Sequence, residues 1–111
     1  MNTAIVFNNY GMGSATEELR LKLSENYLSI ILKENQLPKF ILFYAEGVKL
    51  VTEGSPVIET LKEIENKGVK LIVCKTCLNY YNLLEAIKVG MIGTMMDICE
   101  IQSNVEKVIT L

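Results

Sequence analysis

At 111 residues the chain has the length of one domain, since domains usually contain roughly 100 to 200 residues. Half of the residues are hydrophobic and 22% are charged, a composition typical of globular proteins and unlike that of disordered chains. The net charge is -2 and no basic cluster is present, so nucleic acid is not an expected partner. The lack of histidine excludes Ser-His-Asp and Cys-His hydrolases and zinc sites that need an imidazole.

The hydrophobic stretches are too short for a membrane span. The longest, Phe40 to Ala45, is far from the roughly 20 residues that cross a bilayer, and the segment Met1 to Ala4 lacks the basic start of a secretory signal. We therefore expect one cytoplasmic domain over residues 1–111, with no membrane partner and three reduced cysteines. A domain of this length needs neither a disulfide nor a metal for stability, so its cysteines are available for chemistry.

The first element is a predicted strand followed by a long helix. Ala4 to Phe7 is a short apolar run that ends at the loop Asn8 to Gly13. Ser14, with Glu17 three residues later, predicts a capping box at the start of the helix. Its apolar face is expected to contain Leu19, Leu23, Tyr27, Ile30 and Ile31, and Asn35 and Pro38 end it.

The middle of the chain predicts two more strand and helix pairs. Phe40 to Tyr44 is apolar on both sides, as in a buried parallel strand, and Ala45 to Gly47 closes it. A second helix is expected from Ser55 as N-cap and Pro56 as first helical residue to Gly68. The later elements are a strand over Val69 to Cys74, an exit loop over Lys75 to Cys77 and a helix over Leu78 to Val89.

The last part of the chain predicts two short strands around a helix. A very short strand is expected at Gly93 to Met95, a helix at Met96 to Ser103, and a terminal strand at Lys107 to Leu111 inside the sheet. Cys99 is expected in the core. Strict alternation of strands and helices predicts an α/β fold with an open, mainly parallel five-stranded sheet and helices on both faces, as in flavodoxin.

The residues that indicate chemistry are two cysteines at the end of the third strand. Sites of open parallel sheets form where strands end, and Cys74 and Cys77 lie there as a CxxC pair. A helix N-terminus and Lys75 would favour the thiolate of Cys74, which we expect to be more reactive than Cys77 or Cys99. A metal site would usually need more ligands, and a thioredoxin-like site would need an earlier CxxC and a facing cis-proline. Sulfur transfer needs only thiols, so it suits these residues best.

Other nucleotide and phosphate sites fit the sequence less well. The loop Asn9 to Ser14 contains two glycines but matches neither GxGxxG nor a Walker loop. A response-regulator receiver would need acidic residues where Asn8, Asn9 and Cys74 stand. A flavin site using Tyr10, Ser14 and Thr16 would be unusual in so short a chain. No cofactor and no metal are therefore expected.

Several segments together resemble the DsrE/DsrF-like family over essentially the whole chain. They are Leu71 to Tyr81 with the Cys-Lys-Thr-Cys turn, Phe43 to Leu50, Gly90 to Thr94 and the ending Lys107 to Leu111. The resemblance is greatest to the C-terminal domain of YedF-type proteins linked to selenium metabolism, with similarity also to YchN-like proteins. It implies trimers or hexamers and a reactive cysteine at the position of Cys74. Because a TusA-like carrier domain is missing here, the resemblance implies a carrier in trans.

The sequence therefore predicts a sulfur-relay protein of the sulfurtransferase kind. Cys74 would accept sulfur or selenium as a persulfide and Cys77 would be the resolving thiol. Strand topology also places Asn8, Tyr10, Glu46 and Gly47, with Lys75 and Thr76, at the rim of this site as candidate binding residues. The alternative is a non-enzymatic module that binds a small ligand or a partner, with incidental cysteines. A high apolar content further predicts a homo-oligomer.

Overall fold

In the computed structural model, which describes residues 2–111, five strands form one all-parallel sheet in the order β4-β3-β2-β1-β5. The strands are β1 Thr3–Phe7, β2 Phe40–Phe43, β3 Lys70–Cys74, β4 Met91–Gly93 and β5 Lys107–Thr110. The helices are α1 Glu17–Lys33, α2 Ile58–Asn66, α3 Lys75–Tyr80 and α4 Met95–Asn104, with 3₁₀ helices over Ala45–Val51 and Leu84–Ala86. The predicted α/β class, parallel sheet and element order are confirmed.

The helices cover both faces of the sheet. The chain moves in one direction from β1 to β4, so right-handed crossovers put α1, α2 and α3 on one face. The return from β4 to β5 puts α4 on the other face. The side chains agree, because Ile31 of α1 shares a cavity with Ile5, whereas Ile101 of α4 shares one with Phe40. Ile5 pairs with Ile41, so these two side chains lie on the same face of the sheet. Phe40 precedes Ile41 in β2 and therefore lies on the opposite face, because successive residues of a strand face opposite sides.

The N-terminus of α1 differs from the prediction. The N-cap is Thr16 and not Ser14, because the Thr16 hydroxyl accepts a hydrogen bond from the backbone N–H of Leu19 at 3.4 Å. Ser14 is exposed in the preceding loop. Both residues are good N-caps by type, so composition alone does not separate two positions so close together.

The buried face of α1 is only partly the predicted one, since Ile31 is buried and Tyr27 packs half-buried against the core as predicted. The residues that α1 buries are Ser24, Leu28 and Ile31, whereas Leu19, Leu23 and Ile30 are exposed. Apolar residues lie on more than one side of this helix, so its sequence periodicity does not decide which side meets the sheet. Ser24 is accepted in the core because its hydroxyl donates a hydrogen bond to the carbonyl of Leu21 at 2.8 Å.

The second helix begins later than predicted and ends as predicted. Its N-cap is Val57, and Ser55 acts two residues earlier, where its hydroxyl accepts the N–H of Val57 at 3.2 Å. Pro56 therefore precedes the helix. At the other end Gly68 follows the C-cap Lys67 with a φ of +100°, the left-handed conformation expected of a C′ glycine.

The third helix is much shorter than the predicted Leu78 to Val89. It begins at Lys75 directly after β3, and it ends at Tyr80. Asn82 terminates it with a φ of +57°, and the N–H of Leu83 bonds back to the carbonyl of Leu78 at 2.8 Å. This is the closing bond of a helix C-cap in which asparagine takes the place of glycine. The predicted exit loop is therefore the first turn of α3.

Two further predictions near the C-terminus are wrong. The fourth strand covers Met91–Gly93, two residues earlier than predicted, because Thr94 and Asp97 form a capping box that starts α4 at Met95. Cys99 is exposed on α4 and is not part of the core.

The terminal strand β5 pairs only with β1 among residues 2–111 and is an edge of the sheet. None of the helices in residues 2–111 has the length and hydrophobicity to cross a bilayer.

Candidate functional site

The candidate site forms where the neighbouring strands β2 and β3 end. Phe43 pairs with Val73, so the residues that follow these two strands meet at the same edge of the sheet. Cys74 is both the end of β3 and the N-cap of α3, and Cys77 lies in the first turn of that helix. The backbone N–H of Ala45 donates a hydrogen bond to the Sγ of Cys77 at 3.1 Å, and this bond is exposed to solvent. The fold thus places a thiol against a backbone donor at the surface.

The three cysteines differ sharply in exposure. Cys74 has an exposed fraction of 0%, Cys77 is half-buried and Cys99 is exposed. The prediction that Cys74 is the most reactive of the three remains to be measured, although its burial limits the molecules that reach it. Residues 2–111 contain no group of three or more cysteine, aspartate or glutamate side chains placed to hold a metal ion.

The environment of Cys77 favours its protonated form. Burial is the main cause that raises the pKa of Cys77, and interaction with the neighbouring Cys74 thiol raises it further. The N–H of Ala45 acts in the opposite direction, because a hydrogen bond to the sulfur stabilises the thiolate. Cys77 is therefore a half-buried thiol that becomes a nucleophile mainly as the pH rises.

We predict that alkylation of Cys77 follows this raised pKa. Since the thiolate is the reactive form, the rate should rise with pH through a midpoint above that of an ordinary cysteine. Iodoacetamide labelling from neutral to alkaline pH, read at the peptide that contains residue 77, measures the midpoint. The midpoint of the same thiol in the urea-unfolded chain is the reference, and a lower midpoint in the folded protein would contradict the prediction.

Ala45 is held in place by contacts with β1. Its backbone φ is +51°, a value that residues other than glycine rarely adopt. Such a conformation persists where surrounding contacts enforce it. Next to it, the N–H of Tyr44 donates to the carbonyl of Phe7 at 3.2 Å and the N–H of Gly47 to the carbonyl of Tyr44 at 2.9 Å. A Cβ on Gly47 would collide with the Phe7 carbonyl oxygen. Glycine at this position therefore lets the 3₁₀ helix approach β1.

Two of the predicted rim residues have defined surroundings: Glu46 forms an ion pair with Lys49, and Tyr10 lines a cavity. Glu46 is exposed and binds the ammonium of Lys49 at 2.8 Å, a contact that lowers the pKa of Glu46 and raises that of Lys49. The Lys49 ammonium also lies 4.7 Å from the ring centre of Tyr81. Tyr10 joins Lys49 and Tyr81 in lining an open cavity of about 440 Å³. Burial, followed by the negative charge of Glu17, raises the pKa of Tyr10.

The other predicted rim residues are less closely tied to the cysteines. Asn8 is exposed at the end of β1, and Lys75 and Thr76 are exposed on the first turn of α3. Gly47 is buried against β1 and acts through the backbone. The structure thus brings Cys74, Cys77 and the segment around Ala45 together.

A family model matches the whole chain. The model describes the DsrE/DsrF-like family, and it covers residues 1–111. The chain belongs to the DsrE/DsrF-like family. A comparison with curated proteins found no match. The link to YedF-type proteins remains a prediction.

Solved structures share the fold at low sequence identity. The ychN protein from E. coli is 18% identical with a TM-score of 0.70, and the alignment covers 100% of both chains. MTH1491 from Methanobacterium thermoautotrophicum is 14% identical with a TM-score of 0.71, covering 98% of this chain and 97% of that one. BT1422 from Bacteroides thetaiotaomicron is 15% identical with a TM-score of 0.70, covering 99% and 95%. The last two are described as proteins of unknown function, so the likeness establishes the fold of this family member and not its activity.

Three residues of the site were missed in the sequence. Ala45 begins one of the strand-end segments where the sequence places a site, but neither it nor Lys49 nor Tyr81 is predicted as a site residue. If β2 and β3 are taken as adjacent parallel strands, the segments that follow their carboxyl ends are expected to lie close together. That pairing would have placed Ala45 near the cysteine pair. An alanine with positive φ has no sequence signal, because this conformation is imposed by neighbours far along the chain.

Proposed function

We propose that this protein is a sulfur-relay protein that carries sulfur, or selenium in its place, as a persulfide on the cysteine pair Cys74 and Cys77. The observation that carries the proposal is the solvent-exposed hydrogen bond between the Ala45 N–H and the Cys77 sulfur, one helical turn from a second thiol. Membership of the DsrE/DsrF-like family supports it, since this family is generally related to sulfur relay.

Persulfide relay needs only the groups that this site contains. A thiolate attacks the terminal sulfur of a donor persulfide, keeps that sulfur, and releases the donor as a thiolate. An acceptor thiolate then removes the sulfur by the same reaction, and the protein thiol leaves as a thiolate. A backbone N–H at the Cys77 sulfur stabilises the negative charge of the thiolate before loading and again after the acceptor has removed the sulfur. No histidine and no metal takes part in these steps.

The surroundings of the pair suit exchange with another protein in the cytoplasm, where thiols stay reduced. In our proposal a TusA-like carrier donates or accepts the sulfur, and the exposed rim residues contact it. These include Glu46 with its partner Lys49, together with Lys75, Thr76 and Asn8. Tyr10 and Gly47 shape the site from behind, the first by lining the adjacent cavity and the second by holding the segment around Ala45 against β1.

Mass spectrometry after treatment with inorganic polysulfide tests the proposal. We expect the peptide that contains residues 74–77 to gain the mass of one sulfur atom, and a reductant to remove it. Cys99 is the internal control, because it is an exposed thiol outside the site. A gain on the site peptide no greater than that on Cys99 would support the alternative, a non-enzymatic binding module with incidental cysteines.

A further inference from the structure

The two thiols of the site differ in which molecules they meet. Cys74 is fully buried at the end of β3, and its strand neighbour on the far side is Gly93. Cys77 lies one turn later, with its sulfur in a solvent-exposed hydrogen bond to the N–H of Ala45. A donor the size of a protein therefore reaches the Cys77 sulfur first, and reaches Cys74 only if the core opens.

We propose that Cys77 is the thiol that exchanges sulfur with other molecules and that Cys74 resolves the resulting persulfide from the protein interior. This inference rests on the proposed function and assigns a separate role to each cysteine. It reverses the order that the sequence suggests, in which Cys74 accepts the sulfur. The reason is access, because the strand-end position that makes Cys74 attractive in the sequence is covered by the packed chain.

The loading step is an exchange between the Cys77 thiolate and a donor persulfide. The Cys77 thiolate attacks the terminal sulfur of a donor persulfide, so a bond forms between Cys77 Sγ and that sulfur. The bond between the terminal sulfur and the donor's own sulfur breaks, and the donor leaves as a thiolate that takes up the proton lost by Cys77. No electrons leave the pair of reactants, and no other reagent is needed.

The resolving step is an internal displacement. The Cys74 thiolate attacks the Sγ of the Cys77 persulfide, the bond to the terminal sulfur breaks, and hydrosulfide leaves. The two cysteines are oxidised to a disulfide while the terminal sulfur is reduced, so two electrons move within the site. When an acceptor thiol arrives first, it takes the terminal sulfur and Cys77 returns to the thiol. Cys74 thus limits the lifetime of a persulfide that finds no acceptor.

Single-cysteine substitutions test the division of roles. After treatment with inorganic polysulfide, we expect the site peptide of Cys77→Ser to take up at least tenfold less sulfur than the site peptide of the wild type. Cys74→Ser is expected to keep most of the uptake and to hold the persulfide several-fold longer, because its resolving thiol is missing. Cys99→Ser is the matched control and should behave as the wild type. Since a hydroxyl at a buried position can unfold the chain, Cys74→Ala serves as the second variant.

The outcomes separate this inference from the proposed function. If the wild type gains sulfur and Cys77→Ser gains it equally on Cys74, the division of roles is wrong and sulfur relay stands. If the wild type gains neither sulfur nor a disulfide between Cys74 and Cys77, both fail. Persulfide decay at the same rate in Cys74→Ala and in the wild type, with no disulfide in either, would overturn the resolving role alone.

A measurement without any sulfur donor gives an independent check. Iodoacetamide at a fixed alkaline pH should label Cys77 at least tenfold faster than Cys74 in the folded protein, because Cys77 is half-buried whereas Cys74 is fully buried. In Cys74→Ala the midpoint of Cys77 labelling should move to lower pH, since the Cys74 thiol helps to raise the pKa of Cys77. Faster labelling of Cys74 than of Cys77 would contradict the assigned order of access.

Discussion

Replacing Gly47 with alanine is expected to destabilise the protein severely. The new Cβ would collide with the carbonyl oxygen and carbon of Phe7, which belong to the backbone of a buried central strand and have little room to shift. Overpacking of this kind costs about 3 kcal/mol. For a chain of this size such a loss lowers Tm by on the order of 15 °C, which thermal unfolding followed by circular dichroism measures directly.

Gly68→Ala is the matched control for this substitution. Gly68 has a φ of +100° and open space around the position of a Cβ, so alanine there meets conformational strain but no collision. We expect a cost of about 1 kcal/mol, as for other residues forced into the left-handed region. If Gly47→Ala were no more destabilising than Gly68→Ala, the close approach of the 3₁₀ helix to β1 would be wrong. The position of the Ala45 N–H beside Cys77 would then be in doubt as well.

The second large effect concerns assembly: we expect a homo-oligomer whose mass in solution is three or six times that of the 12.5 kDa chain. Two groups of exposed apolar side chains support this expectation. The β4 patch consists of Met91, Ile92, Met95 and Met96, and the α1 patch consists of Leu19, Leu23 and Ile30. Exposed apolar groups of this kind commonly mark interfaces between proteins.

The positions of the patches favour a ring. β4 is one edge strand of the sheet, and α1 shares a cavity with β5, the other edge strand. Two different patches on opposite sides of a chain join head to tail, and such contacts close into rings when the rotation allows it. The number three comes from the family resemblance, whereas the head-to-tail contact comes from the placement of the patches.

Charged substitutions in each patch test the arrangement. Met96→Glu and Ile30→Glu change residues with exposed fractions of 77% and 56%, so each variant should fold. Light scattering behind a sizing column should show single chains for each variant alone. A mixture of the two should form dimers, because each partner retains one intact patch. Asn66→Glu, on the exposed end of α2, is the control and should keep the wild-type mass.

Two results would contradict this arrangement. A wild-type mass near that of one chain at micromolar concentration would mean that the exposed apolar residues are an ordinary part of the surface. Full-sized assemblies in both patch variants would mean that the contact lies elsewhere. In that case the cavity beside α4, lined by Phe40, Ile72 and Met91, is the next surface to test.

Elements whose signals are local were predicted from the sequence. The two-sided apolar run of β2 and the alternation of strands with helices were enough for an open parallel sheet, because these patterns depend on neighbouring residues. Gly68 at the end of α2 was predicted for the same reason. The helix after β3 was predicted too long, because the left-handed cap at Asn82 resembles an ordinary helix residue in the sequence.

The sequence by itself determined the fold class, the order of the elements and the position of a cysteine pair at the end of a central strand. Only the tertiary structure decided that Cys74 is buried, that Cys99 is exposed and that the N–H of Ala45 meets the sulfur of Cys77. Each of these depends on packing between elements that lie far apart along the chain. Ala45 and Cys77 are separated by 32 positions, and they meet because β2 and β3 pair in register and Gly47 lets the intervening segment rest on β1.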